Sequence, residues 1–226
     1  MIPIQRTPEP NILRRHKLRW RNRYLAALAA YCATPSASSK RNKERAENKY
    51  HHPDIKQALN EMCGGKCAYC ESHILHVDYG HIEHFQPKSR YPERCFDWEN
   101  LLLGCAVCNG AEYKSDKCPL ADAGGPFINP CHEDPQGFFA FEYDPATGTA
   151  NVVPKNVRGT TTERELGLNR PELVKHRSAV VRKIAFVALR AKEGDADALS
   201  ELQRCMANDQ EYAAFARAFA QRFNLL

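Results

Sequence analysis

Four cysteines are spaced for metal. Cys67 and Cys70 form one C-x-x-C pair, Cys105 and Cys108 a second, with 34 residues between the pairs. Two sulfurs from each of two tight turns can surround a single ion and clamp the turns together, which is the donor set of a tetrahedral structural zinc. Buried free thiols are the plain alternative. Apparent binding energies at such sites run to about 10–16 kcal/mol, enough for the metal to order the block between the pairs. Cys63, Cys95, Cys118 and Cys131 lack that spacing and are expected to be ordinary buried thiols.

Polar residues of a particular order surround the pairs: Glu83–His84, then Asn100–Leu101, then Asn109 directly after Cys108, then Lys114. This order resembles the HNH (ββα-metal) endonuclease family. There an acidic–His pair ends one strand, Asn-Leu opens a second, and C-x-x-C-N/H leads to a lysine on a helix. More narrowly, HIEHFQPKS, DWENLLLGCAVCN and GTTTERELGLNRPELVKHR, spread over residues 81–177, resemble PtuB-like proteins, the HNH effectors of Septu and retron anti-phage systems. The resemblance implies a nucleic acid substrate (DNA or RNA) and a PtuA-like ABC-type ATPase as partner. In a retron setting it also implies a reverse transcriptase with its RNA–DNA product.

Phosphodiester hydrolysis needs an activated water, positive charge on the scissile phosphate and help for the departing oxygen. His84 is the candidate general base, since a neutral imidazole is available near pH 7. Glu83 and Asn109 offer hard oxygen donors suited to a catalytic Mg2+ or Mn2+. Glu83 stands where the family usually has Asp, so its added methylene shifts any metal it holds. Asn100 is expected to hydrogen-bond across the loop and orient His84, and Lys114 to contact phosphate. Lys88 and Arg90 either steer the phosphate backbone or are solvated charges. His81, three residues before His84, would face the opposite side of a strand. It is either a further metal or phosphate contact or an ordinary packed or solvent-facing imidazole. His73 and His76 read as structural. The alternative for the whole block is a non-catalytic zinc module that binds nucleic acid or a protein partner.

The elements that position these residues point to an α+β fold, a zinc-stapled ββα-metal core between helical segments. Residues 1–62 read as a basic tail and helices, 63–118 as the nuclease core, 119–158 as loop and β-hairpin, and 159–226 as a helical region, all in one unit. Periodicity predicts a helix over 13–31 with Leu18, Leu25 and Leu28 near one stripe, and another over 53–62 closed by Gly64–Gly65. Residues 40–50 read as a polar stretch. FFAFEY and TANVV around DPATG predict a hairpin. Thr162 with Glu165, or Thr160 with Glu163, could cap a helix, Pro171 could open a long one, and two more follow over about 195–207 and 209–223.

At 226 residues, 43% hydrophobic and 26% charged, the chain has globular composition and length for one or two domains. The longest apolar run, residues 25–33, falls short of the roughly 18 needed to cross a bilayer. The opening MIPIQRTPEP lacks the pattern of a secretion signal, so the expectation is a soluble cytoplasmic protein with no membrane partner. The net charge of +5 is uneven: residues 1–60 hold 13 Lys/Arg against 4 Asp/Glu, +9, leaving −4 for the rest. That asymmetry fits a polyanion partner. The cluster over 14–23 could contact nucleic acid or dock a helix on an acidic protein.

Overall fold

Pro53 at the first helical position and Gly64 in the left-handed conformation (φ 58°) bracket helix α3 (Pro53–Cys63). Its buried side is Ile55, Leu59 and Cys63, each a turn apart. That side packs on strand β2 (Leu101–Gly104), whose three leucines are each fully buried. A strand covered on both faces reads as a continuous apolar run, which is why LLL shows no alternation. β2 pairs antiparallel with β1 (His81–His84), placing His84 opposite Leu101, Glu83 opposite Leu102 and His81 opposite Gly104. The computed structural model describes residues 1–74 and 79–225, so His76 lies outside the described residues.

Ahead of this core run α1 (Asn11–Ala33) and α2 (Ala37–Glu47), packed on one another. The buried residues of α1 are Leu13, Trp20 and Tyr24, while Leu18 is exposed, so the apolar stripe differs from the Leu18–Leu25–Leu28 expectation. The aromatic rings decide it: Trp20 and Tyr24 both pack on Phe96, at 5.8 and 6.2 Å between centroids. The supposed polar stretch before Tyr50 is mostly the helix α2. Ser36 and Ser39 cap it reciprocally, and Lys43 pairs with Glu47 one turn on. The first ten residues lie along the protein. Arg6 donates to the carbonyls of Trp98 and Leu101, both at 2.7 Å, bracing the entrance to β2.

After β2 the expected helix of the ββα unit is replaced by successive turns over residues 106–116. Backbone bonds here change step, from Asn109 to Cys105 four residues back, from Gly110 to Val107 and Tyr113 to Gly110 three back, and from Lys114 to Cys108 six back, so no regular helical ladder forms. The predicted hairpin forms as β3 (Phe139–Asp144) and β4 (Thr149–Pro154). Helices α4 (Val157–Leu166), α5 (Pro171–Lys192), α6 (Ala196–Cys205) and α7 (Ala213–Arg222) complete the chain. Asn156 caps α4 by accepting from the Gly159 N–H, earlier than either threonine box would place the start. Thr162 is instead buried and accepts from the Ile128 N–H. The segment entering α7 is tied to the first cysteine turn: His73 N–H donates to Glu211 at 2.7 Å, and Ser72 and Tyr212 share a 2.8 Å hydroxyl bond. Mixed helices and two small sheets make the fold α+β. No helix among the described residues is long and apolar enough to cross a membrane.

Candidate active site

The two cysteine pairs meet. The sulfurs of Cys67, Cys70, Cys105 and Cys108 all lie within 4.8 Å of one another, with Cys70 and Cys105 at 4.0 Å. Four sulfurs at about 2.3 Å from a tetrahedral zinc would be about 3.8 Å apart, so the group is already near a metal-binding arrangement. Donors favour thiolates here. Cys105 N–H points at the Cys67 sulfur (3.4 Å), Cys108 N–H at that of Cys105 (3.3 Å), and the Arg170 guanidinium at that of Cys108 (3.4 Å). Hydrogen bonding among the sulfurs pulls Cys70 and Cys105 below the usual thiol range, while burial holds Cys67 and the bond with Cys105 holds Cys108 well above it. Arg170, within the downstream GLNRPELVKHR segment, is therefore a neighbour of the metal block that spacing alone could not reveal. Cys63, Cys95, Cys118 and Cys131 stand outside this cluster as free cysteines, fully buried or half-buried.

Along β1 is a cleft of about 530 Å³ lined by His81, Glu83, His84, Lys88 and Asn109. His84 is 6% exposed; its Nε2 lies 2.9 Å from the Cys95 carbonyl and its ring meets that of Tyr50 edge-on at 4.7 Å. A carbonyl only accepts, so Nε2 carries the hydrogen, and in the neutral ring Nδ1 holds the lone pair. Burial, aided by the charges of Lys88 and Lys114 and opposed by the Cys95 bond, lowers this imidazole to about 4. It is neutral at neutral pH.

Asn100 grips the intervening loop. Its amide donates to the carbonyls of Gln86 (2.9 Å) and Arg94 (3.2 Å), and its oxygen accepts from Gln86 N–H (2.8 Å). Cys95, which holds His84, directly follows Arg94. Asn100 thus fixes the loop that fixes the imidazole.

Glu83 is buried beside Lys114, which forms an ion pair with its Oε1 and donates to the His84 carbonyl at 2.9 Å. Lys114 is fully buried, so the expected phosphate contact gives way to charge compensation of Glu83. Desolvation raises the Glu83 carboxyl above its usual range against the pull of Lys114. Tyr69 OH also approaches Oε1, at 3.5 Å. Gly104 lets these parts converge: a Cβ there would lie 3.3 Å from the Glu83 Cβ and 3.7 Å from that of Asn109.

Lys88 lines the cleft, its ammonium 5.4 Å from the Tyr50 ring centre and 3.4 Å from Glu47. Arg90 is apart, hydrogen-bonded to the Cys118 carbonyl on a different groove. His81 is exposed and lines the cleft with Glu83 and His84, despite the strand alternation. His73 is structural in position, bridged to Lys66 across a short backbone pairing. The cleft also takes in Tyr50, His51, Lys56 and Asp116, which no motif flags because the first three arrive from helical elements before the core.

Comparison with known proteins agrees with this construction. Residues 67–115 match the model of the HNH endonuclease family. Septu protein PtuB of Bacillus mycoides (strain KBAB4) is 27% identical over 70% of this chain and 65% of its own length. Septu protein PtuB of Bacillus thuringiensis is 36% identical over 52% of this chain and 42% of its own. The chain therefore spans less than two thirds of either curated relative. Residues 67–115, where the residue order and the joined cysteine turns lie, are thus similar to the HNH endonuclease family.

Proposed function

We propose that this protein is a metal-dependent endonuclease that hydrolyses phosphodiester bonds in nucleic acid, acting as a PtuB-like effector of Septu-type anti-phage defence with an ABC-type ATPase as partner. The observation that carries the reading is the neutral, fixed imidazole of His84 beside Glu83 and Asn109 in one cleft.

In this mechanism His84 Nδ1 takes the proton of an attacking water while Nε2 stays bound to the Cys95 carbonyl. Asn100 keeps the loop, and so the ring, in register. Glu83 and Asn109 would hold Mg2+ or Mn2+. Their donor set fits: hard oxygens, one carboxylate, and room in the cleft for the waters and phosphate oxygens such ions retain. When bound, the ion supplies positive charge to the phosphate and the departing oxygen. Lys114 limits the net negative charge at Glu83, and Lys88 draws the phosphate inward. His81 lies where it can add a ligand or a phosphate contact. The four-cysteine cluster takes zinc in a structural role, far from needing an open coordination position.

The test is cleavage of DNA and RNA by the purified chain, with and without the ATPase, in Mg2+ or Mn2+. The reading requires cutting that depends on the added ion. Binding without cutting under every condition would favour a non-catalytic zinc module.

A further inference from the structure

A second depression, of about 610 Å³, lies between α1 and α2. Its rim carries Arg19 and Arg23 from α1, Arg45 from α2 and Lys49 from the turn after it, all exposed. None of the four is ion-paired to a carboxylate among the described residues, and no Asp or Glu lines the groove. The acids of α2 are spent elsewhere: Glu44 faces Lys40, and Glu47 serves Lys43 and Lys88. The floor is a ladder of rings, with His16 stacked on Trp20 at 5.4 Å and Trp20 against His52 at 6.3 Å.

This groove adjoins the candidate active site. Lys49 and His52 line the groove, whereas Tyr50 and His51, between them in sequence, line the cleft. The turn Asn48–His51 is thus the shared wall. Four uncompensated cations, two from α1 and two from α2 and its following turn, bordering one groove beside the candidate nuclease cleft suit the charge of a nucleic acid backbone. His16 covers a face of Trp20, and Trp20 itself is buried, so the floor is braced instead of offering a free ring for base stacking. Contact would be made to phosphate, without reading sequence.

We infer that the α1–α2 groove binds the phosphate backbone of the substrate strand next to the segment held in the cleft, as a second anchoring surface. This rests on the nuclease reading but is tested by binding alone.

The experiment uses the full chain in a His84→Ala background with no added Mg2+ or Mn2+, so that nothing is cut. A labelled oligonucleotide long enough to cross both cleft and groove is titrated at several salt concentrations, as duplex DNA and as single-stranded RNA. The variant is Arg23→Gln with Arg45→Gln, both exposed. The charge-matched control is Arg15→Gln with Arg41→Gln, also exposed but outside the groove. Removing two phosphate contacts should weaken binding roughly tenfold or more at physiological salt and lower the log–log salt slope by about 1.5. The control should change neither quantity comparably, and whichever nucleic acid shows the difference is the one the groove holds. Equal loss in variant and control, or no loss in either, overturns the inference. So does unchanged nucleic acid binding with lost binding of an acidic polypeptide, which would assign the groove to a protein. In parallel, the same groove variant with His84 intact is assayed for cutting. Groove-dependent binding by a chain that never cuts would leave the groove standing and remove the nuclease reading; cutting that ignores the groove does the reverse.

Discussion

His84 is held by two different kinds of contact, and each makes a separate demand on chemistry. The Cys95 carbonyl fixes which nitrogen is protonated, and burial keeps the ring neutral. His84→Ala should therefore cut about 10²–10⁴-fold more slowly while retaining its bound metal and circular-dichroism spectrum. The lowered pKa gives a sign as well. A base with pKa about 4 stays unprotonated from neutrality down towards pH 5, so the acid limb of the rate profile should bend near 4. A bend near the ordinary histidine value of 6.5 would mean the imidazole is charged when the enzyme is acidified only slightly. Asn100 makes three hydrogen bonds while 1% exposed. Asn100→Ala should cost about 1–3 kcal/mol of stability and slow cutting further than that loss explains, measured by denaturant unfolding alongside single-turnover rates.

The elements divide into those announced by local chemistry and those decided by packing. The C-x-x-C turns, the Pro53 and Pro171 helix starts, and the hairpin around DPATG were legible because proline, glycine and cysteine state their requirements locally. The stripe on α1 was not, because Phe96, more than seventy residues away, selects Trp20 and Tyr24 over Leu18. The pairing of Lys114 with Glu83 was likewise hidden: residues 106–116 turn where a helix was expected, carrying the lysine inward. The order Glu83–His84, Asn100, Asn109 was visible as a motif, yet Tyr50 and His51 came to the cleft with no motif at all. At this scale the four clustered cysteines are positioned to hold a metal that would staple the two turns. Cys67→Ser or Cys105→Ser should release zinc and abolish cooperative unfolding of the central block, whereas a variant that stays folded with no bound zinc would contradict the structural role. Zinc content and thermal unfolding measure both.

Across the molecule, charge and chemistry are segregated. The basic excess of residues 1–60 collects on α1 and α2, while the terminal helices close over the β3–β4 hairpin and the first cysteine turn. The candidate cleft is lined by Tyr50 and His51 of the Asn48–His51 turn and by Asn109, Ser115 and Asp116 from the segment after β2. A nucleic acid can thus meet positive charge before it meets His84. The central claim is that this cleft cuts phosphodiester bonds using an added divalent ion and the His84 imidazole. The most direct measurement incubates plasmid DNA and total tRNA with the wild-type chain and with His84→Ala, with and without the ATPase partner, in Mg2+, in Mn2+ and in neither. Degradation of one pool is expected only when the ion is added and only with the wild-type chain. Cutting at equal rates by His84→Ala, or intact pools throughout with the partner verified as bound, would contradict that claim.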